Sequence, residues 1–332
     1  MQWAFITSIL MKKHEISDPT VSELDAKDII NDSISSNTNY TELKVTPNLD
    51  TFRGVAATLM INSPKWFQRR YTMMISNILL NIPPDWAVQI FYTGTGLSQI
   101  GLDINPGLVR LASTNDRIVL TKIPEEVYNK HGMKKRILYW TDEWIWKEML
   151  ADRILVFSGN GVLCSNSKLS IADGTATILN DVDYIGTPWR EFWGAGGDGT
   201  ISYRNRTAML HAIRFRKHDG NEREDRYFVR TLLEINEKEG TELYRVASKE
   251  QTLIFGGTEN IVEVEGPPMV VSGTMPNIDH ELRETVLDLC PELRMIFPVL
   301  HNPNCFGANP DGEECAKYIC ALKNPDERMS GC

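Results

Sequence analysis

An adjacent pair of acidic residues, Glu224 and Asp225, is a candidate for catalytic proton transfer. Phe228, Leu232 and Ile235 recur at helical spacing after the pair, so the two acids lie in the first turn of an expected helix. Acids in a first turn often do no more than complement the helix dipole. The same position keeps a carboxylate ionised, and an ionised carboxylate is able to take a proton from a hydroxyl group. The residues alone leave both interpretations open.

A glycine-rich stretch over residues 194–199 lies upstream of the acidic pair. Glycine lets backbone N–H groups point at an anion without obstruction by a side chain. The stretch follows an expected loop over residues 183–193 and does not match the dinucleotide or P-loop patterns. A basic run comes directly after it, consisting of Arg204, Arg206, Arg214, Arg216 and Lys217. Such a run is most often a solvated helix face, but its place beside the glycines indicates phosphate recognition.

A third polar segment, residues 158–161, follows the apolar run 153–157. It reads Ser-Gly-Asn-Gly, and Asn-Gly is a strong signal for a tight turn. In open α/β sheets, however, ligands bind beyond the carboxyl ends of the strands. Ser158 and Asn160 are therefore either turn residues or small polar groups that let a ligand approach the backbone.

These segments must be positioned by a regular fold, and the apolar pattern predicts its elements. Strand-like runs cover residues 54–61, 86–92, 117–123 and 153–157, and helical periodicity covers residues 65–80 and 137–150. Strands that alternate with helices predict an α/β domain with a mixed, mostly parallel sheet flanked by helices.

Composition excludes several classes of protein. The 332 residues are 42% hydrophobic and 24% charged, which excludes fibrous, low-complexity and polytopic membrane proteins. The net charge of −9 disfavours a nucleic-acid partner. Residues 15–50 contain eight acids against two bases, a net charge of −6. The rest of the chain is thus close to balanced, and its charge does not disfavour a small phosphate-bearing ligand.

The two ends of the chain differ from its centre. Residues 1–50 are predicted to be an apolar stub followed by an acidic, disordered stalk, and residues 51–332 a single domain with a cysteine-containing tail. The apolar stretch 2–11 is shorter than the roughly 20 residues that cross a bilayer. It is either the stub of a membrane anchor whose beginning is absent or an ordinary amphipathic N-terminus.

Cysteines and sequons bear on the compartment. Among the six cysteines, Cys305, Cys315 and Cys320 lie in a tail with little apolar material, which favours a local disulfide, with zinc binding or free thiols as alternatives. Glycosylation sequons begin at Asn31 and Asn39 in the stalk and at Asn205 in the core. Both features agree with a secretory route.

Several segments in combination resemble an uncharacterised glycosyltransferase-like family known by a domain-of-unknown-function label. The resemblance spans residues 54–320 and rests on residues 153–168, 183–189, 194–204, 208–209, 224–228, 290–292 and 297–307. The order of strand-end loop, glycine-rich stretch and Glu-Asp pair also resembles the galactosyltransferase and fringe enzymes of the GT-A fold. The resemblance implies a GT-A-like fold and transfer of a sugar from a nucleotide-sugar donor to a hydroxyl-bearing acceptor, with inversion, in the Golgi or ER lumen.

The resemblance also assigns roles to residues. Asp225 would be the base and Glu224 would support it. The donor and acceptor pocket would be lined by Ser158, Asn160, Trp189, Trp193, Gly196, Gly197, Asp198 and Arg204. The indole rings suit the apolar face of a sugar.

The chain departs from that family at the end of the strand 153–157. GT-A enzymes hold Mn²⁺ or Mg²⁺ there with an Asp-x-Asp motif, whereas residues 158–161 contain no carboxylate. Divalent cations prefer charged oxygen ligands, so a metal would depend on Asn160 and His301. Alternatively, arginines and lysines neutralise the diphosphate, or the chain is a non-catalytic relative that binds nucleotide sugars or glycans. A cytoplasmic enzyme of unrelated α/β chemistry is a third interpretation.

Overall fold

The computed structural model describes residues 51–61, 65–93, 111, 114–132, 136–159, 161–189, 194–257, 266–272 and 280–296. All of these residues belong to one unit, Pro47–Cys332. The stub and stalk, the tail cysteines, Asn160, Trp193 and His301 lie outside the described residues, so the predictions about them stay predictions. Within the described parts of the chain, no helix combines the length and apolar character needed to cross a membrane.

Nine strands form two sheets among the described residues. The strands are β1 (Gly54–Met60), β2 (Trp86–Tyr92), β3 (Ile118–Lys122), β4 (Arg153–Phe157), β5 (Gly161–Leu163), β6 (Tyr184–Thr187), β7 (Asp198–Asn205), β8 (Gly256–Gly257) and β9 (Val270–Ser272). The main sheet has the order β3-β2-β1-β4-β7-β6, and the small sheet has the order β5-β9-β8.

The helices flank the main sheet. They are α1 (Lys65–Asn81), α2 (Glu125–His131), α3 (Arg136–Tyr139), α4 (Glu143–Lys147), α5 (Arg206–Phe215), α6 (Glu224–Glu239), α7 (Lys249–Phe255), α8 (His280–Leu289) and α9 (Leu293–Ile296), with a 3₁₀ turn at Thr177–Asn180.

The main sheet is mixed and mostly parallel, which confirms the predicted fold class. β1 pairs in parallel with β2 and with β4, and β2 pairs in parallel with β3. β7 runs antiparallel to both β4 and β6. Every residue of β1 and of β2 is buried, as expected for parallel strands covered on both faces.

The sheet separates two apolar clusters. On one face, Ala56 belongs to a cluster with Met74 of α1. On the other face, Ala57 belongs to a cluster with Trp146 of α4 and Phe228 of α6. Alternate residues of β1 thus contribute to opposite clusters because successive side chains of a strand point to opposite faces.

The prediction of one continuous helix over residues 137–150 is wrong, because the structure has two helices there, α3 and α4. Asp142 lies between the two helices in an extended conformation, and its Oδ1 accepts a hydrogen bond of 2.9 Å from the Trp144 N–H. This contact caps the first turn of α4. The apolar spacing runs through both helices, but the cap starts a new helix at Glu143.

The prediction of a loop over residues 183–193 is wrong for Tyr184–Thr187, because these residues form β6. Tyr184 lies opposite Arg204 and Ile185 opposite Tyr203 in the pairing with β7. Both Tyr184 and Ile185 are fully buried. Burial against a distant strand, rather than a local alternation of polar and apolar residues, makes this segment a strand.

A disulfide that the sequence did not indicate joins Cys164 to Cys290, with 5.0 Å between the two Cα atoms. Cys164 directly follows β5, and Cys290 directly follows α8. Nearby, the Ser165 N–H donates to Glu292 Oε1 at 3.0 Å. The bond therefore fastens the end of α8 to the small sheet across 126 residues of sequence.

Candidate functional site

Three strand ends meet at one edge of the main sheet. β4 ends at Phe157, which lies opposite Ile201 of the antiparallel β7, so the beginning of β7 lies beside the end of β4. β6 ends at Thr187, which lies opposite Asp198 at the start of β7. The topology consequently brings Ser158, Trp189 and Asp198 to the same edge.

This edge contains the position at which the strand order reverses. The chain passes from β1 outward to β2 and β3 on one side, and then returns to place β4 on the other side of β1. Ligands of open α/β sheets bind beyond the carboxyl ends of the strands at such a position. Ser158 is partly exposed immediately after β4. Its predicted contact with substrate stays a prediction, but its location suits that role.

Asp225 is fixed to this edge by a glycine. Its Oδ2 accepts a hydrogen bond of 3.0 Å from the N–H of Gly199 on β7, and its Oδ1 accepts one of 2.8 Å from the Arg226 N–H. The side chain of Asp225 is 2% exposed. A Cβ atom on Gly199 would lie 2.6 Å from Glu224 Oε1 and 3.1 Å from Asp225 Cβ. The close approach of α6 to β7 therefore requires glycine at this position.

Arg223 joins two carboxylates at the edge. Its Nη2 donates to Asp225 Oδ2 at 2.7 Å and also contacts Asp198 Oδ2, while its Nε donates to Asp225 Oδ1 at 3.2 Å. Partial burial would lower the pKa of Arg223, but the negative charges of Asp225 and Asp198 raise that pKa above its ordinary value. The sequence reasoning missed Arg223, because a base before a pair of acids is a common pattern on a helix surface.

Trp189 lies over this group of charges. The centroid of its ring is 5.8 Å from the guanidinium carbon of Arg223 and 5.8 Å from that of Arg226. Its Nε1–H donates to the Ala195 carbonyl at 3.3 Å, and the side chain is partly exposed. Asp198 Oδ1 accepts a hydrogen bond of 2.8 Å from the Thr200 N–H. We refer to Ser158, Trp189, Asp198, Arg223 and Asp225 as the candidate site.

The structure does not support the prediction that Arg204 binds substrate. Arg204 is 0% exposed, and its Nη1 and Nη2 donate to the two oxygens of Glu224 at 2.8 and 3.0 Å. Its Nε donates to Ser202 Oγ at 2.8 Å. Aromatic rings surround the guanidinium, with centroids 5.1–5.9 Å away, from Tyr184, Phe228 and Trp146. The guanidinium is therefore part of the core.

Glu224, which the resemblance predicts to support Asp225, is instead paired with Arg204. Burial raises the pKa of Glu224, and the charge and hydrogen bonds of Arg204 oppose that shift. The two adjacent acids thus serve different purposes: Glu224 pairs with Arg204 in the core, and Asp225 lies at the sheet edge.

The glycine-rich stretch packs against neighbouring backbone. Gly196 and Gly197 have φ angles of 95° and 90°, which favour glycine. The Gly196 N–H donates to the Ala247 carbonyl at 2.8 Å, so this amide already has a backbone partner, and the role of Gly196 in substrate binding stays a prediction. A Cβ atom on Gly197 would lie 2.5 Å from the Gly186 carbonyl oxygen. A role for Gly197 in substrate binding stays a prediction, but tight packing explains both glycines.

The basic run is largely paired with acids. Arg206 contacts Asp152 at 3.4 Å, and Arg214 contacts Glu143 at 2.6 Å. Arg216 contacts Glu222 at 3.2 Å and Glu234 at 3.3 Å. The expectation that this run recognises phosphate is therefore not supported by its geometry, because these cations neutralise acids of α4, α6 and nearby loops.

The described residues do not form a fitting site for a divalent metal at the sheet edge. Within the described residues, two groups of ligand-type side chains are close enough to hold an ion: Cys164 with Cys290 and Glu292, and His218 with Asp219 and Glu222. Neither group includes a residue of the candidate site. The carboxylates of Asp198 and Asp225 already share the guanidinium of Arg223. The expected metal ligands Asn160 and His301 lie outside the described residues.

A protein-family model matches part of the chain. Residues 118–265 match DUF5672, a family of proteins of unknown function, and this range includes the whole candidate site. No curated protein matches the chain significantly.

Glycosyltransferases occur among the solved structures that the chain resembles. The galactosyltransferase LgtC in complex with donor and acceptor sugar analogues is 9% identical, with a TM-score of 0.38 over 75% of this chain and 96% of that one. An active-site mutant of LgtC is 9% identical, with a TM-score of 0.36 over 71% and 94%. Mouse xyloside xylosyltransferase 1 is 10% identical, with a TM-score of 0.41 over 68% and 98%. Similarity at this level assigns no activity.

Proposed function

We propose that this chain, whose residues 118–265 match the DUF5672 family, is a glycosyltransferase that moves a sugar from a nucleotide-sugar donor to a hydroxyl group. One observation carries the proposal. A carboxylate, that of Asp225, is held at the ligand-binding edge of an α/β sheet by the Gly199 N–H at 3.0 Å. A second feature supports it: the partly exposed indole of Trp189 lies over the arginines that flank Asp225.

In the proposed reaction, Asp225 acts as the general base. It takes the proton of the acceptor hydroxyl while the hydroxyl oxygen forms a bond to the anomeric carbon of the donor. The bond between that carbon and the diphosphate oxygen breaks, and the nucleoside diphosphate leaves with the electron pair. Attack opposite the leaving group inverts the anomeric configuration. The backbone N–H groups of Gly199 and Arg226 hold the carboxylate in a fixed orientation. The reaction therefore does not have to bear the entropic cost of orienting it.

The other residues of the candidate site suit the two substrates. Trp189 offers an aromatic face for the apolar side of a sugar ring. Ser158 lies where β1 and β4 are neighbours, at the position expected for the nucleotide. We therefore place the donor toward β4 and the acceptor toward Trp189 and Asp225.

The proposal includes no step through a metal ion, because residues 158–161 contain no carboxylate and the acids of the candidate site hold Arg223.

A non-catalytic relative that binds nucleotide sugars or glycans is the second candidate function. Two observations favour it: the side chain of Asp225 is only 2% exposed, and the end of β4 lacks an acid. This alternative predicts binding of a nucleotide sugar without release of its sugar.

The test is a panel of nucleotide sugars with and without Mn²⁺. A ligand that binds the native state raises the melting temperature by mass action, and turnover releases a nucleoside diphosphate. We expect at least one donor to raise the melting temperature and to be turned over with a glycan acceptor. Binding without turnover under both metal conditions would favour the non-catalytic alternative, and the absence of binding would contradict both functions.

We also propose that the protein works in an oxidising compartment of the secretory pathway. The buried Cys164–Cys290 disulfide supports this location, because disulfides persist where thiols are not kept reduced.

A further inference from the structure

The carboxylate of Asp225 is covered although it lies at the sheet edge. Each of its two oxygens accepts two hydrogen bonds, and its side chain is 2% exposed. A general base must come within hydrogen-bond distance of the proton that it removes. Something must therefore move before a hydroxyl group can reach this carboxylate.

The donors to Asp225 differ in their freedom to move. The N–H groups of Gly199 and Arg226 belong to β7 and α6, so they are fixed by the fold. The remaining two donors are Nε and Nη2 of Arg223, whose side chain is 49% exposed. A long, half-exposed side chain changes rotamer far more readily than a strand or a helix shifts. Arg223 is thus the part of the cover that is free to turn.

A second partner for Arg223 lies next to the first. Its Nη2 also contacts Oδ2 of Asp198, whose side chain is 19% exposed, and its guanidinium carbon is 5.8 Å from the Trp189 ring centroid. If Arg223 turned away from Asp225, its charge would still be compensated by Asp198 and by the face of the indole. The desolvation cost of an unpaired guanidinium is thereby avoided.

We propose that Arg223 is a positioning residue that shields Asp225 in the free protein and turns toward Asp198 when a hydroxyl-bearing acceptor binds. This inference rests on the proposed function of Asp225 as the base. The shield keeps water from the carboxylate while a donor is bound without an acceptor, so it favours transfer of the sugar over hydrolysis of the donor. It also selects acceptors that displace the guanidinium.

Chemical labelling tests the shield without any substrate. The full-length protein is treated with a water-soluble carbodiimide and glycine ethyl ester, and labelling of each carboxylate is followed by peptide mass spectrometry. In the wild type, Asp225 should be labelled much more slowly than Asp152 and Asp181, whose side chains are 67% and 71% exposed. In Arg223→Ala, labelling of Asp225 should accelerate by about tenfold or more, since local access governs such rates.

A matched variant and an internal reference keep this experiment decisive. Arg230→Ala removes a half-exposed arginine within α6, which pairs with Glu222 and Glu234 instead, and it should leave labelling of Asp225 unchanged. If Asp225 of the wild type is labelled as fast as Asp152, the proposal is overturned, even if Arg223→Ala fails to fold. Equal labelling of Asp225 in the wild type and in folded Arg223→Ala overturns it as well.

Turnover provides the second readout. With a donor found in the nucleotide-sugar panel, Arg223→Ala should raise the ratio of donor hydrolysis to sugar transfer, and Arg223→Lys should restore part of the wild-type ratio. An unchanged ratio in Arg223→Ala would overturn the role of Arg223 in favouring transfer over hydrolysis. A wild-type protein that turns over no donor would instead refute the proposed function. The labelling rates of Asp225 test the shielding by Arg223 without any turnover.

Discussion

Glu224 and Asp225 are adjacent in sequence but have different partners. Glu224 forms two hydrogen bonds with Arg204, which is completely buried, and Asp225 binds Gly199 and Arg223 at the sheet edge. The helical spacing of Phe228 and Leu232 predicts that both acids begin a helix. It does not predict which acid meets an arginine from β7, because that contact depends on the pairing of distant strands.

Breaking the Arg204–Glu224 pair should destabilise the protein strongly. Arg204→Met leaves a buried carboxylate and Glu224→Gln leaves a buried guanidinium, each without its charged partner, so each should lower the free energy of unfolding by about 3–5 kcal/mol. Urea unfolding of the single variants measures this loss. The double variant Arg204→Met with Glu224→Gln should be less destabilised than the sum of the singles; strict additivity would contradict a direct pair.

Gly199→Ala tests the close contact between β7 and α6. A Cβ atom at residue 199 would lie 2.6 Å from Glu224 Oε1 and 2.8 Å from Arg204 Nη2. The variant should lower the free energy of unfolding by about 1–3 kcal/mol, the usual cost of overpacking. Gly194→Ala is the matched control, because nothing lies within 4 Å of its Cβ position, and it should be nearly neutral. Equal effects of the two substitutions would show that the contact is not tight.

Among the elements of the fold, the strands that a continuous apolar run forms could be predicted from the sequence. The predicted strands 86–92 and 153–157 coincide with β2 and β4. β6 was missed because its residues are buried by β7 and not by a local pattern. The division between α3 and α4 was missed because it depends on a side chain of Asp142 that caps α4 and also binds Lys130 and His131 of α2.

The cap of α4 gives a prediction that depends on pH. Burial raises the pKa of Asp142, but hydrogen bonds from His131, Lys130 and the Trp144 N–H outweigh it and hold that pKa well below its ordinary value. A lowered pKa means that the ionised group stabilises the fold above the unfolded-state pKa, and that this contribution is lost as the pH falls. Asp142→Asn should therefore lower the free energy of unfolding by about 1–3 kcal/mol near pH 7.

Unfolding of the wild type and of Asp142→Asn is to be measured from pH 7 downward. The difference in free energy should shrink below about pH 5, where protonation of the unfolded carboxylate begins. A difference that widens as the pH falls would contradict the assigned hydrogen bonds.

At the scale of the whole molecule, the sequence predicted the α/β class and a sheet edge at which the chemistry-bearing segments meet. It did not predict the Cys164–Cys290 disulfide, since residues separated by 126 positions give no local signal. It also suggested a free basic run, but Arg206, Arg214 and Arg216 contact acids that only the folded chain brings to them.

Removal of the disulfide should weaken the whole fold. The double variant Cys164→Ala with Cys290→Ala should lower the free energy of unfolding by about 2–4 kcal/mol, because the bond ties α8 to β5. Denaturant unfolding with and without a reductant measures the effect, and peptide mapping of the non-reduced protein identifies the linkage. Folded native protein with both thiols free and unchanged stability would contradict the structure here.

In the proposed function, Asp225 removes the proton of an acceptor hydroxyl during sugar transfer. The most direct measurement compares the transfer rates of the wild type and Asp225→Asn with the same donor and acceptor, using Asp152→Asn at the opposite end of β4 as the control. Asp225→Asn should lose about 10²–10⁴-fold in kcat while its nucleotide-sugar binding changes little, and Asp152→Asn should remain active. Transfer by Asp225→Asn at the wild-type rate would contradict the account.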